Sequence, residues 1–422
     1  MINKVKLLKD QLRKSKDGRV VASNFGYLLL LQVAGYIFPL LTIPYLARVI
    51  GVDGFGKIAF ASGVIIWLKT ISDWGFNYTA TRDVASNMGD FNKISEIFSQ
   101  VLWARIILML LSLILLILAI LVVPVFSQNK EILFISFLLI PGNILFPEWF
   151  FQAMERMKYI TIFSLISKTV FTILIFIFIK EKSDFILQPL FMSLGYIVCG
   201  IFAMYIILIK WKIKLQSPNL TIIYKKIKES TDVFINNIMP NIYNSFSIVL
   251  LGSFGGSTAN GLLDAGSKFV NIAQQFLTII SRVFFPLLSR KFHVHKLYSK
   301  INLSLSILAF IALLILAPFI IKIFYTSEFS QATLVLQIMS ASIVFSTLIS
   351  IYGTNFMIIK GYERDLRNIT TLCSFIGFIV AFPLIYFYSY IGAAITITST
   401  RALLGIITML RARSIQKLEV HL

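Results

Sequence analysis

Charge is scarce in this chain. Of its 422 residues 14% are charged and 57% are hydrophobic, where a soluble domain is about 45–50% apolar. Cysteine is nearly absent. The two present, Cys199 and Cys373, both fall inside apolar stretches, which speaks against a disulfide framework or a thiolate metal site. There are three histidines, His293, His295 and His421, all outside the apolar stretches. No His/Asp/Glu metal cluster, Walker loop or nucleophile elbow is present, so neither a cofactor nor a metal is expected. Acid is scarce relative to base: 19 Asp and Glu against 39 Lys and Arg leave a formal charge of +20. No basic recognition helix, RNA-binding signature or zinc spacing accompanies that excess, so nucleic acid is not an expected partner. Basic residues that flank membrane helices fix orientation and meet anionic lipid head groups. Met1–Val20 is polar and basic, without the apolar core of a secretory signal, so the first span is expected to be its own insertion signal.

What the chain does have is long uncharged runs, recurring about every thirty residues; Leu28–Leu46, Ile58–Leu68, Ile106–Phe126 and Ile132–Phe146 are the first four. About 20 apolar residues of helix cross a hydrocarbon core about 30 Å thick. Backbone groups in lipid must be satisfied within their own segment, so such runs are read as helices. Twelve spans are expected, at 23–50, 54–78, 98–124, 130–152, 159–180, 185–210, 231–254, 259–289, 301–324, 328–358, 366–389 and 391–411. Twenty-seven lysines and arginines fall in alternate connecting segments that include both termini, against six in the others. Under the positive-inside rule both termini are then cytoplasmic.

The two halves of the chain echo each other. Pro39 to Gly51 has the spacing of Pro240 to Gly252. The run Gly56–Ser62 matches Gly261–Ser267, and Gln152-Ala-Met-Glu155-Arg156 matches Lys360-Gly-Tyr-Glu363-Arg364. The offsets, 201, 205 and 208 residues, lie close to half the length. The expected fold is therefore all-α and integral to the membrane, with about twelve transmembrane helices in two six-helix pseudo-repeated lobes. Repeats of this kind are typical of transporters, with the substrate path between them. The expected organisation is a basic cytoplasmic N-terminus over 1–22, lobes over 23–210 and 231–411, a cytoplasmic linker over 211–230 and a tail over 412–422.

Six basic residues fall inside spans: Lys69, Arg105, Lys168, Lys268, Arg282 and Arg401. Asp73, Glu148 and Asp264 are acids within spans. A charge at mid-bilayer costs at least about 2.5–3.5 kcal/mol, so each should face protein, a partner or water. Arg105 and Arg282 lie near a cytoplasmic end and could snorkel. Lys69–Asp73 and Asp264–Lys268 are spaced four apart and could close as local pairs, which would leave Lys168 and Arg401 without a neighbouring acid in sequence. A surplus of cations suits an anionic substrate such as a diphosphate, because ammonium and guanidinium both bind phosphate oxygens. Asp73 or Asp264 could couple an ion.

Uncharged polar residues cluster as well. Asn236, Asn237, Asn241, Tyr243, Asn244 and Ser247 surround Pro240 in span 7. Gln274 and Gln275 lie mid-span in span 8, and Asn355 lies late in span 10. These residues could line a wet cavity or make interhelical hydrogen bonds worth about 0.6 kcal/mol each. Trp74, Trp103 and Trp149 read as interfacial belt residues, with sugar stacking the alternative.

Several motifs carry a resemblance. They are Asn24-Phe-Gly, Pro44-Tyr-Leu-Ala-Arg-Val-Ile-Gly51, Asp73-Trp-Gly-Phe-Asn77, Pro147-Glu-Trp-Phe-Phe-Gln152, Phe285-Pro286 and Tyr352-Gly-Thr-Asn355. Together the chain resembles the O-antigen-type flippases of lipid-linked oligosaccharides, within the superfamily that includes the MATE exporters. It departs at Gln152-Ala153, where Gln-Gly is expected. The resemblance implies a central cationic cavity in the bacterial inner membrane and translocation of an undecaprenyl-diphosphate-linked repeat unit from the cytoplasmic to the periplasmic leaflet. On this reading energy would come from an H+ or Na+ gradient or from consumption of the product outside, and polysaccharide polymerase machinery is an expected partner. Two rivals remain at this point: an organic-cation antiporter of the same fold, and a membrane glycosyltransferase or polymerase, which the short outer loops disfavour.

Overall fold

The structure, a computed structural model, describes residues 16–290 and 292–420. Most of the expected basic N-terminus lies outside them. Regular structure among the described residues is helical throughout. Helix α1 is Lys16–Val49, α2 Gly51–Asp73, α3 Phe76–Ser86 and α4 Phe91–Val122. The fourth span is divided into α5 (Lys130–Phe137), α6 (Leu139–Leu145) and α7 (Glu148–Ala153). Then follow α8 (Met157–Phe178), α9 (Leu187–Tyr205), α10 (Leu220–Phe254), α11 (Gly256–Arg290) and α12 (His295–Phe324). Span 10 comprises α13 (Ala332–Ser340), α14 (Ser342–Leu348) and a wider π-helical stretch, Ile349–Ile358. Helix α15, Glu363–Val420, doubles back at Ser389, whose φ of 49° and ψ of −129° are not helical.

Nine stretches among the described residues are long and apolar enough to cross a bilayer. One of them, 363–417, holds two passes folded at Ser389. Adding α10 and α11, each 35 residues long, gives the expected twelve. Those two fall short on hydropathy because they carry the asparagine cluster and Asp264, Lys268 and Arg282.

The described residues form two compact units: 16–42, Leu68–Lys180 and Ile186–Phe234 make up the first, and Ile43–Trp67, Glu181–Phe185 and 235–420 the second. The unit boundaries fall inside α1, α2 and α10.

The first unit is organised around an aromatic core of Phe76, Phe98, Phe146, Trp149, Phe150 and Phe151, all nearly inaccessible. Trp74 (φ 41°) and Gly75 (φ 81°) turn the chain out of α2 into the short α3. Gly75 is needed there: its φ is left-handed, and a Cβ would stand 2.8 Å from Val233. Asp90 then caps α4 by accepting from the backbone N–H of Asn92 and of Lys93, both at 3.0 Å. Helix α4 carries an unusual polar stripe, Ser95, Ser99 and Gln100, buried at 4% or less. The stripe serves the backbone of the extended linker: Lys214 N–H donates to Ser95 Oγ (3.1 Å), Gln216 N–H to Ser99 Oγ (2.9 Å) and Asn219 N–H to Gln100 Oε1 (3.2 Å). Trp103 Nε1 donates to Gln216 O (3.0 Å), and Trp74 Nε1 donates to Ile227 O (3.1 Å) while its ring stacks on Phe234 at 3.9 Å. Trp149 is 3% exposed. Trp74 and Trp103 thus fasten the linker, and Trp149 fills the core. Lys226 reaches Asp83 at 2.5 Å and Glu229 at 3.4 Å. Burial alone would lower the Lys226 pKa, but the two carboxylates outweigh it and hold the ammonium above its ordinary range.

In the second unit α2 and α11 cross at very short range. A Cβ on Gly56 would collide with the Ser257 carbonyl, and one on Gly261 with the Val52 carbonyl. The repeat-matched glycines are thus the two sides of one small-residue crossing, which membrane helices use to bring backbones together. Spans 4 and 10 end alike. Glu155 (φ 55°) is followed by an Arg156 N–H to Phe151 O bond (2.8 Å), and Gly361 (φ 82°) by a Tyr362 N–H to Met357 O bond (2.8 Å). Both are left-handed C-terminal caps. They align Glu155 with Gly361, two residues out of register with the Glu155–Glu363 match in sequence.

Candidate functional site: charged clusters at membrane depth

Pro147 has no N–H and biases the residue before it away from helix. Accordingly the fourth span, expected to be continuous, breaks at Phe146 (ψ 79°) and Pro147 (ψ 78°). Glu148 is the first residue after the break. Its neighbours Trp149, Phe150 and Phe151 are buried, whereas Glu148 is exposed. Non-helical backbone at this depth is tolerated where protein or a water-filled recess covers it. The Glu148 carboxylate thus keeps accessible surface at the break, beside the densely packed aromatic core.

Cations surround that carboxylate. Lys69 of α2, Lys168 of α8 and Arg105 of α4 all lie within electrostatic range of Glu148, as does Asp73. They differ in how they are satisfied. Arg105 is 4% exposed and ion-paired with Asp73; it also donates to Asn143 O (3.4 Å), while its Nε has no partner. Asp73 therefore neutralises Arg105, thirty-two residues away, and not Lys69 four residues away as the spacing suggested. Lys69 and Lys168 are half-buried and, like Glu148, make no hydrogen bond or close ion pair to the described residues. Lys168 Nζ comes against Gly35 of α1, 3.6 Å from where a Cβ would stand.

The second unit arranges its charges differently. Lys268 closes on Asp264 at 2.6 Å, the local pair the spacing predicts. Arg401 meets no carboxylate among the described residues; it donates to Ser342 Oγ (3.1 Å) and Asn244 Oδ1 (3.3 Å), and Gln274 Nε2 donates to the same Ser342 Oγ (3.0 Å). Its charge is thus solvated by neutral oxygens and remains uncompensated. Arg282 is exposed on α11, away from these contacts.

Among the polar residues, Asn244 and Gln274 join the Arg401 group. Asn236 and Asn237 are exposed on α10, and Asn241 Nδ2 donates to Asn237 O (3.3 Å). Asn355 lies apart from any open surface. It is wholly buried in the π-helical stretch, where its Nδ2 donates to Ser281 Oγ (2.6 Å) and Tyr298 OH (2.7 Å). This is an interior hydrogen-bond network; beside it the His295 Nε2–H donates to Ile351 O (3.1 Å).

Fold and charges together define a polytopic helical membrane protein with uncompensated cations at bilayer depth. The family described as polysaccharide biosynthesis protein matches residues 21–293, and the chain belongs to it. Over 399 residues, 93% of this chain and 96% of the relative, it is 28% identical to an Escherichia coli (strain K12) protein named "Putative O-antigen transporter". Its fold is similar to that of the lipid II flippase MurJ in an inward closed conformation, with a TM-score of 0.73 and 15% identity over 92% of this chain and 87% of that one. A MATE structure in complex with MaL6 matches with a TM-score of 0.57 and 13% identity over 96% of this chain and 97% of that one.

Proposed function

We propose that this protein is a flippase that moves an undecaprenyl-diphosphate-linked oligosaccharide, an O-antigen or similar surface-polysaccharide unit, from the cytoplasmic to the periplasmic leaflet of the bacterial inner membrane. One observation carries the reading: Lys69, Lys168 and Arg401 stand at membrane depth with no carboxylate at ion-pair distance among the described residues. Uncompensated cations there are costly and repay that cost by receiving an anion. A diphosphate supplies acceptor oxygens that match both ammonium and guanidinium. An organic-cation exporter would need the opposite, unpaired acids. Asp73 and Asp264 are both engaged in ion pairs, whereas Glu148 makes no close ion pair to the described residues. We read the halves over 23–210 and 231–411 as the moving parts of an alternating-access cycle, with the prenyl chain remaining in lipid and both termini in the cytoplasm.

The test is direct. Proteoliposomes containing the purified protein should translocate a fluorescent prenyl-diphosphate-linked oligosaccharide, read by its accessibility to a membrane-impermeant quencher. The Lys168→Ala/Arg401→Ala double variant should reconstitute equally well and fail to translocate. Equal translocation by the double variant would reject the charge assignment, and export of organic cations without glycolipid movement would favour the antiporter.

A further inference from the structure

Neither of the acids that the spacing nominated for ion coupling is free, and one that it passed over is. Glu148 is exposed at the break in the fourth span and makes no direct bond to the described residues. The charged and titratable groups that face it are Lys69 and Asp73 from α2, Arg105 from α4, Lys168 from α8 and the Tyr196 phenol from α9. Asp73 and Arg105 cancel each other in their ion pair. That leaves Lys69 and Lys168 against Glu148: one net positive charge when the carboxylate is ionised, two when it carries a proton.

A diphosphate that links a prenyl chain to a sugar is a diester and bears two negative charges at neutral pH. The cluster matches it in charge only when Glu148 is protonated. An anion lodged between the two lysines would also bring like charge up to the carboxylate, and a nearby like charge favours the neutral acid. We propose that Glu148 is the proton-coupling residue of the first unit, and that a diphosphate diester binding at Lys69 and Lys168 takes up one proton from solution onto the Glu148 carboxylate. This rests on the flippase reading, whose cationic site it uses. The balance is simple: one proton enters with the dianion, no covalent bond to the ligand forms, and the proton leaves when the ligand does.

Calorimetry on the full chain in lipid nanodiscs tests it, with synthetic geranyl-diphosphate-linked N-acetylglucosamine as the probe. Titrations in buffers of different ionisation enthalpy report the protons taken up per ligand bound. The wild type should take up a proton on binding at pH values where Glu148 is ionised in the free protein, and its affinity should weaken about tenfold per pH unit there. Glu148→Gln should bind without proton uptake, with an affinity flat in pH at the wild type's acid-side value. Glu148→Asp should retain the uptake, which separates proton binding from any packing role of the side chain. Unchanged uptake in Glu148→Gln would overturn the assignment while leaving the flippase reading intact. Equal binding of the probe by wild type and Lys69→Ala/Lys168→Ala would instead overturn the cationic site itself.

Discussion

Within the spans each unit pairs one acid with one base and leaves further positive charge uncompensated, but the two do so in different ways. In the second unit the closed pair is local, Asp264 with Lys268 one turn away on α11, and a further cation, Arg401, is held by Ser342 and Asn244. In the first unit the closed pair spans two helices, Asp73 with Arg105, and the remaining lysines face an open carboxylate instead of neutral oxygens. A cation fixed by hydrogen bonds is a static feature of its unit. A cation that shares space with a titratable acid has two charge states available to it. On the proposed reading, anion attraction would belong to both units and proton coupling to the first.

The comparison can be broken at several points. The largest effect is expected from Lys69→Ala/Lys168→Ala, which should abolish surface polysaccharide in a strain lacking the wild-type gene while the protein still reaches the membrane on an immunoblot. Normal polysaccharide in that strain would remove the first unit from substrate binding. Next comes Asp73→Asn. It leaves Arg105 buried and uncompensated, a loss of about 3–5 kcal/mol, and should appear as a large drop in melting temperature in detergent; an unchanged melt would mean that the pair is not needed for the fold. Arg401→Lys keeps the charge but forfeits the planar fork that spans Ser342 and Asn244. It should lower transport several-fold without affecting stability, and complete loss of protein would show a structural role instead. Gly56→Leu should cost about 1–3 kcal/mol by forcing α2 and α11 apart, while the same change at Gly26, which has open space around it, should be close to neutral. Smallest is Asp264→Asn. Its pair with Lys268 is partly exposed, with side-chain accessibilities of 32% and 24%, and after solvent screening such pairs contribute about 1 kcal/mol or less. A marked loss of activity without loss of stability would give Asp264 a role in coupling and erase the contrast between the units.

How far the sequence could be read depended on how local the physics was. Helical content, the number of passes and the hairpin near Ser389 follow from runs of apolar residues and the charges that interrupt them, because lipid imposes its demands on every segment separately. The Asp264–Lys268 pair was legible for the same reason: both partners lie one helical turn apart. Lys69–Asp73 has identical spacing, yet Asp73 turned to Arg105 on another helix, since a buried guanidinium without a countercharge costs more than a half-exposed ammonium does. The break that exposes Glu148 did leave a signal in Pro147, which a reading by hydropathy alone passes over.

The sequence by itself therefore determined the class: an all-helical membrane protein whose basic residues outnumber its acids inside the bilayer as well as outside it. Only the tertiary structure decided which of those charges are cancelled, that Asn355 is sealed in an interior network, that Arg401 rests on neutral oxygens and that Glu148 stands open. Span formation is fixed within about twenty consecutive residues, whereas charge compensation acts through space between helices that are distant along the chain.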